Sequence, residues 1–249
     1  ILIEPQWTVW SHRAGIRIDL KGQTNVKGLL AAGSVIKIEC VGTHASAGVP
    51  VGHACVSGAR AGKAAAQYAL TRRNLSINLI EQASQVCTRL AAVGRQNSQK
   101  TANKIYEQIR QSLGTPLDCM IFTAEKLTQL QSRLNELEQE AMVLTTDDVH
   151  ELVKSEEVRN FLQAFQVSIA SALARKESRE SFFRSDYPRT DNENWFCWHV
   201  AQMTGDGLSL RREPIPLHDY PLKPDHIEPH HLSAIGRILE EALNGQRLH

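Results

Sequence analysis

The chain alternates between apolar and polar residues from position 15 to position 20, in the order Gly-Ile-Arg-Ile-Asp-Leu. This period of two predicts a short strand, and the Lys-Gly pair that follows predicts a turn. Residues 26–33 form a largely apolar run that ends in glycine, which predicts a buried strand whose end approaches another backbone or a ligand. Small residues dominate from 50 to about 70, behind a proline. That segment is predicted to be a helix that packs very close to its neighbours.

The pattern changes after residue 74, where apolar residues recur at helical spacing. One stripe is Leu79, Ala83, Val86 and Leu90, and another is Leu127, Leu130, Leu134, Leu137 and Ala141. A third helix is predicted to begin near Ser155, where a capping residue precedes two acids. Each leucine stripe is shorter than about three heptads, which favours packing within one bundle over a coiled coil.

These changes predict three domains. Residues 1–72 form the first, residues 73–200 form a helical bundle domain, and residues 201–249 form a C-terminal extension. Within the extension, the Pro-rich stretch 214–229 is not expected to be regular helix, whereas a final short helix is predicted for residues 231–244. Because the chain begins without Met and runs directly into fold-like sequence, we expect a further segment upstream.

The balance of charge argues against some classes of partner. The chain has 28 Lys and Arg against 27 Asp and Glu, a formal net charge of +1, so nucleic acid and anionic membrane surfaces are not expected as partners. Five widely spaced cysteines include no CxxC pair, which favours a reducing, cytoplasmic compartment over a metal site or a disulfide framework. No apolar run reaches the roughly 18–20 residues needed to cross a bilayer, so no direct membrane span is expected.

Two segments resemble a known family. Residues 15–33 resemble the stretch in which fumarate reductase and L-aspartate oxidase flavoproteins leave the substrate-capping region and re-enter the FAD domain. Glu-Ser-Arg at 177–179 and Phe-Arg-Ser-Asp-Tyr-Pro-Arg-Thr-Asp-Asn-Glu-Asn-Trp at 183–195 are similar to the family's C-terminal signature, Ser-Arg-Gly, then Arg-Glu-Asp-Tyr-Pro, then Asp-Asp-x-Asn-Trp. The chain therefore resembles the C-terminal part of the flavoproteins of fumarate reductase, succinate dehydrogenase and adenylylsulfate reductase.

This resemblance implies an FAD-dependent oxidoreductase of which the chain is an incomplete part. The fold implied is an α/β fragment of a Rossmann-like FAD domain, followed by a mainly α helical-bundle C-terminal domain. No GxGxxG occurs in the chain, so the dinucleotide loop is expected upstream. The implied cofactor is FAD, the implied substrate is a small anion, and the implied partner is an iron–sulfur subunit that exchanges electrons with the flavin.

The resemblance also implies a cofactor site around the start of the small-residue helix. Its expected residues are Ala32, Gly33, Ser34, Gly48, Pro50 and Val51. Unpaired N–H groups and the partial positive charge of a helix N-terminus stabilise electron density on a reduced flavin. An alternative explanation is that glycine and small residues simply permit tight packing of a strand on a helix, and both explanations can hold together.

The loop at 43–48, Thr-His-Ala-Ser-Ala-Gly, resembles the loop of adenylylsulfate reductase. His44 is thereby the candidate catalytic residue, positioning or protonating an anionic substrate near the flavin; a loop histidine satisfied by backbone groups is the equal alternative. The dicarboxylate-reducing members carry Asn-Arg where this chain has His44 and Ala45, and the family usually carries Glu where this chain has Ser34. These departures favour a rival hypothesis, a non-catalytic subunit or scaffold derived from a degenerate flavoprotein.

Two polar clusters have simpler explanations. The signature alternates in charge, as a solvated and salt-bridged face does, and we expect it to serve structure or an interface. Its charged members are Arg179, Arg184, Asp186, Arg189 and Asp191. His226, His230 and His231 lie in the Pro-rich stretch without cysteine or an ordered acidic partner, so surface histidines are favoured over a metal site.

Overall fold

The computed structural model divides the chain into two compact units, Ile1–Ile77 and Asn78–His249. It describes residues 15–36, 49–71, 79–93, 100–115, 118, 121–144, 146, 148–179, 182–205 and 207–243. The predicted division into 1–72, 73–200 and 201–249 stays a prediction. Within the described residues, no helix combines the length and the apolar composition that crossing a membrane requires.

Within its described residues, the N-terminal unit contains a long helix, α1 (Val49–Thr71), and a 3-10 turn at Gly33–Val35. The two strands predicted at 15–20 and 26–33 are wrong, because the described residues there form only isolated bridges, Ile16 with Ile36 and Gln23 with Leu30. The α/β, Rossmann-like part of the predicted fold is therefore not confirmed.

Local turn chemistry explains why the predicted strands do not form. The Asp19 carboxylate accepts hydrogen bonds from the backbone N–H groups of Lys21, at 2.8 Å, and Gln23, at 2.9 Å, which closes a turn where the first strand was expected to end. Gly22 and Gly28 follow with φ of +80° and +88°, a conformation that favours glycine. The chain thus reverses before a ladder of hydrogen bonds can develop.

Among its described residues, the second unit has four helices of twelve or more residues. These are α2 (Leu79–Val93), α3 (Ala102–Leu113), α4 (Ala124–Ala141) and α5 (Val149–Ala174). The buried core is shared by α3, α4 and α5 and includes Ile105, Ile109, Leu127, Leu134, Leu137, Leu162 and Ile169. An ion pair of 2.8 Å joins Arg89 of α2 to Glu156 of α5. The mainly helical part of the predicted fold is confirmed.

Side-chain caps decide where the bundle helices begin. Thr101, Thr123 and Asp148 each accept a hydrogen bond from the N–H three residues ahead, at the starts of α3, α4 and α5. The helix predicted to begin near Ser155 therefore begins earlier, at Val149. Ser155 lies buried within it, and its hydroxyl donates to the carbonyl of Leu152 at 2.7 Å.

Short strands surround the end of α5. β1 (Ile121–Phe122) pairs in parallel with β2 (Phe183–Arg184), and β3 (Arg189–Asp191) pairs antiparallel with β6 (His230–Leu232). β4 (Cys197–Thr204) and β5 (Gly207–Pro214) form an antiparallel hairpin, which follows the short helix α6 (Asn192–Trp195) in the chain. The last helix, α7 (Ala234–Leu243), begins later than predicted because residues 230–232 form β6. The Pro-rich stretch before β6, all of it described, contains no α-helix, as predicted.

Candidate functional site

One face of α1 packs along the loop of residues 22–36. A Cβ atom placed on Gly28 would lie 3.3 Å from the Tyr68 ring, and one on Gly22 would lie 2.8 Å from Cβ of Ala61. The second distance is too short for any side chain. The small residues of this unit therefore do permit the close helix packing that the sequence predicted.

The contact between α1 and the loop of residues 22–36 continues to the predicted cofactor residues. The N–H of Gly33 donates to Oγ of Ser57 at 3.0 Å, and that hydroxyl donates to the carbonyl of His53 at 2.6 Å. Gly33 has φ of +74°, which favours glycine at this turn. Because its N–H is engaged by Ser57, this amide is not a free donor for a ligand.

The other predicted cofactor residues lie around this turn and in the first turn of α1. Ala32 precedes the 3-10 turn and is half-buried, whereas Ser34 is exposed. Pro50 and Val51 lie in the first turn of α1, which begins at Val49, and the Val51 side chain is 68% exposed. His44 and Gly48 lie outside the described residues, so their roles stay predictions.

Three valines and one histidine of this unit bear on its fit to the flavin part of FAD. Val35, Val51 and Val56 expose apolar surface, which suits an aromatic ring system. Nε2 of His53 is buried and has no hydrogen-bond partner among the described residues. A buried polar atom of this kind is usually satisfied, in proteins, by protein, water or ligand. The valines therefore expose apolar surface, whereas Nε2 of His53 is covered by the protein and is not open to a ligand.

The signature of the second unit forms a buried ion-pair cluster. Glu177 is fully buried and accepts from the guanidinium of Arg175, from Nε and Nη2 of Arg179 at 2.9 Å each, and from the N–H of Asp191 at 2.9 Å. A carboxylate can be buried here because two cations and a backbone donor replace its hydration.

Arg184 is the second buried charge of the signature, and it is 1% exposed. The prediction of a solvated face is therefore wrong for this residue. Its guanidinium binds Asp186 through two hydrogen bonds of 2.7 and 2.6 Å and donates to the carbonyl of Ala172 at 2.8 Å. Asp186 in turn accepts from the N–H of Ala124 at 3.0 Å.

These contacts place the two charges at helix ends. The Arg184 cation lies at the C-terminus of α5 and the Asp186 anion at the N-terminus of α4, so both charges complement the helix dipoles. Hydrogen bonds from Arg184 lower the pKa of Asp186. The ion pair, the backbone hydrogen bonds and the helix dipoles thus replace the hydration that the two side chains lose on burial.

Trp195 lies within cation–π distance of two arginines next to the cluster. The guanidinium of Arg212 is 4.8 Å from the centroid of its ring, that of Arg175 is 5.6 Å away, and the ring of His199 meets it edge-on at 5.3 Å. Burial, followed by the charge of Arg175, lowers the pKa of His199 below its ordinary value. His199 is therefore a neutral ring packed in a cationic environment near neutral pH.

The cluster is arranged for structure more than for chemistry. The hydroxyl of Ser178 accepts from the N–H of Arg184 at 2.8 Å and donates to the carbonyl of Tyr187 at 2.7 Å. Asn192 accepts from Arg179 at 2.8 Å and binds the backbone of Glu228. The charged groups of the cluster bind one another and backbone rather than face a substrate. Among the described residues, no three metal-ligating side chains converge.

Comparison with known proteins agrees with this architecture. Residues 117–230 match the family described as "Fumarate reductase flavoprotein C-term". The chain is 27% identical to the fumarate reductase flavoprotein subunit of Haemophilus influenzae over 206 residues, which is 78% of this chain and 33% of that protein. It is 30% identical to a subunit of the fumarate reductase (CoM/CoB) of Methanothermobacter marburgensis over 195 residues, 75% of this chain and 34% of that protein.

A solved structure of FrdA from E. coli quinol fumarate reductase shares the fold. Its TM-score is 0.74 at 24% identity, covering 86% of this chain and 37% of that chain. The fold is thus that of the C-terminal portion of this FrdA chain. Residues 117–230 thus match the C-terminal part of the fumarate reductase flavoproteins, and the chain is similar to two of their subunits. It spans about a third of the length of the curated relatives it matches, and the resemblance predicted from the sequence is confirmed.

Sequence reasoning missed Ser57 as a partner of Gly33. The signal that could have found it is spacing, because Ser57 and Ala61 lie four residues apart and therefore share one helix face. No such signal predicts the burial of Glu177 and Arg184, because a sequence of alternating charges is the same whether the segment is solvated or buried.

Proposed function

We propose that the full-length protein is an FAD-dependent oxidoreductase that carries out two-electron chemistry on a small anionic substrate. The chain supplies the last part of its FAD domain and its helical domain. The observation that carries the proposal is the family match over residues 117–230, which contains the buried signature. FAD, when bound, supplies the electron transfer, whereas the residues of this chain would hold and orient the cofactor.

The relatives favour a small dicarboxylate as the substrate, because the two curated proteins are named fumarate reductases. The absence of an Arg beside His44 argues the other way, since a bidentate clamp on a carboxylate would be missing at that position. Adenylylsulfate is therefore the second substrate to test. In both cases His44 is proposed to position or protonate the anion.

We further propose that the electron-transfer partner is an iron–sulfur subunit and that the compartment is the cytoplasm. The curated relatives are named as subunits, which supports an assembly of more than one chain. Cys55, Cys87 and Cys197 are free thiols, which supports a reducing compartment.

A non-catalytic scaffold is the second candidate. Ser34 is exposed and uncharged where the family usually carries Glu, and the N–H of Gly33 is used internally by Ser57. Both features weaken the hold on a cofactor at this turn. The helical domain, with its buried cluster, would serve either function.

The test is the flavin spectrum of the purified full-length protein, extended upstream to its natural start, before and after acid precipitation. Stoichiometric flavin absorbance is expected, followed by turnover with fumarate, succinate or adenylylsulfate. The variant His44→Ala should lose turnover while keeping the flavin, and His150→Ala, on the exposed surface of α5, is the matched control. A folded, colourless protein that does not take up added FAD would contradict the oxidoreductase proposal, and the scaffold hypothesis would remain.

A further inference from the structure

The two units of the chain carry opposite net charges. Residues 1–77 contain nine Lys and Arg against three Asp and Glu, a formal charge of +6, whereas residues 78–249 contain 19 against 24, a formal charge of −5. The net charge of +1 for the whole chain conceals this segregation. A separate basic unit points to an acidic partner even though the chain as a whole is nearly neutral.

Four exposed cations of the N-terminal unit lie along α1 and the loop that packs on it. They are Lys21, Lys27, Arg60 and Lys63. Each lysine of the loop precedes a glycine that packs on α1, Gly22 against Ala61 and Gly28 against Tyr68. Positions 60 to 68 span only about 12 Å of helix, close to the Debye length of about 8–10 Å. The four charges therefore act together on an approaching partner.

These four cations have no counter-ion within the described part of their own unit. Its single acidic residue there is Asp19, whose carboxylate accepts from the backbone N–H groups of Lys21 and Gln23. No ion pair among the described residues involves any of the four. Cations of the second unit differ, since Arg89, Lys100 and Lys126 each pair with a carboxylate. Counter-charges for the four cations must therefore come from elsewhere.

Apolar side chains are exposed beside the two loop lysines. Leu20 directly precedes Lys21 and is 87% exposed, and Val26 directly precedes Lys27 and is 56% exposed. A face that serves only to be solvated does not need apolar residues at these positions. Protein interfaces combine apolar contacts with a polar rim, and complementary charges steer and orient the two partners.

We propose that this basic surface, formed by Lys21, Lys27, Arg60 and Lys63, docks an acidic face of the electron-transfer partner. The inference rests on the proposed function, because it presumes that the full-length protein exchanges electrons with an iron–sulfur protein. A protein partner is favoured because both curated relatives are named as subunits. Its carboxylates would pair with the four cations, which sets the orientation in which the two proteins meet.

The experiment uses an acidic [2Fe–2S] ferredoxin as the probe and the full-length protein as its partner. The Kd is measured by calorimetry in low and in high salt for wild type and for the double variant Arg60→Glu/Lys63→Glu. Reversal of the two charges is expected to raise the Kd at least about tenfold in low salt, and the difference should vanish in high salt because the charges are screened. The charge-conserving variant Arg60→Lys/Lys63→Arg and the exposed control Lys223→Glu should bind as wild type does.

A second measurement uses wild type alone, so it does not depend on how the variants fold. Ferredoxin should slow the acetylation of the amines of Lys21, Lys27 and Lys63, read by mass spectrometry, and leave that of Lys223 unchanged. Equal acetylation with and without ferredoxin, or an unchanged Kd in a folded charge-reversal variant, would overturn the inference. So would binding to phosphatidylserine vesicles without binding to ferredoxin, which would indicate a membrane surface instead. A wild type without flavin would overturn the proposed function, whereas the ferredoxin Kd would still report on this surface.

Discussion

Replacing Glu177 by Gln should destabilise the second unit more than any surface charge change. The carboxylate is fully buried and receives three guanidinium hydrogen bonds and one backbone N–H. Gln keeps the shape but removes the charge, and its amide group turns donors toward Arg175 and Arg179. Both cations would then lie in a poorly solvated place without a counter-ion.

The size of the effect follows from how buried the cations are. Removing one partner of a buried ion pair costs about 3–5 kcal/mol. The side chains of Arg175 and Arg179 retain 16% and 29% exposure, so water compensates in part, and about 3 kcal/mol is expected. For a unit of this size, that corresponds to a fall in Tm of about 6–12 °C.

The assay is thermal and urea unfolding of the full-length protein, with hydrogen exchange of the peptides that span 175–195. Glu107→Gln is the matched control, because Glu107 forms an exposed pair with Arg110 at 2.9 Å and should cost less than about 1 kcal/mol. Exchange at the amide of Asp191, which binds Glu177, should rise in Glu177→Gln alone. A Tm within about 2 °C of that of the control would refute the reasoning.

Two further perturbations test the same region. Arg184→Lys loses the bidentate contact with Asp186 and should cost about 1.5–3 kcal/mol in urea unfolding, the worth of one hydrogen bond to a charged group; equal stability would show that a single ammonium suffices. The pKa of His199 is lowered in the folded state, so the unfolded state takes up a proton first as pH falls. The contribution of the neutral His199 ring to the free energy of unfolding is therefore complete above about pH 6.5 and is lost as pH falls. Between about pH 7.5 and 5.5, wild type should therefore lose stability more steeply than His199→Gln, and parallel pH profiles would contradict the assignment.

The chain illustrates which signals in a sequence can be interpreted locally. Apolar residues at helical spacing predicted α2 and α4 because that period belongs to the helix itself. The alternating residues at 15–20 failed as a strand because a strand also needs a neighbour, and Asp19 and Gly22 turn the chain first. The start of α5 was misplaced because Asp148 and Ser155 are both good capping residues, and only one of them lies at the helix end.

The sequence by itself determined the helical character of the second unit and the resemblance of the chain to the fumarate reductase flavoproteins. Both depend on spacing and on the order of short motifs. Only the tertiary structure decided that Glu177 and Arg184 are buried and that Nε2 of His53 lacks a partner among the described residues. Burial of a charge depends on cations, helix ends and backbone donors from distant parts of the chain. Those groups come together only when α4, α5 and β3 pack, so no local sequence pattern predicts their contacts.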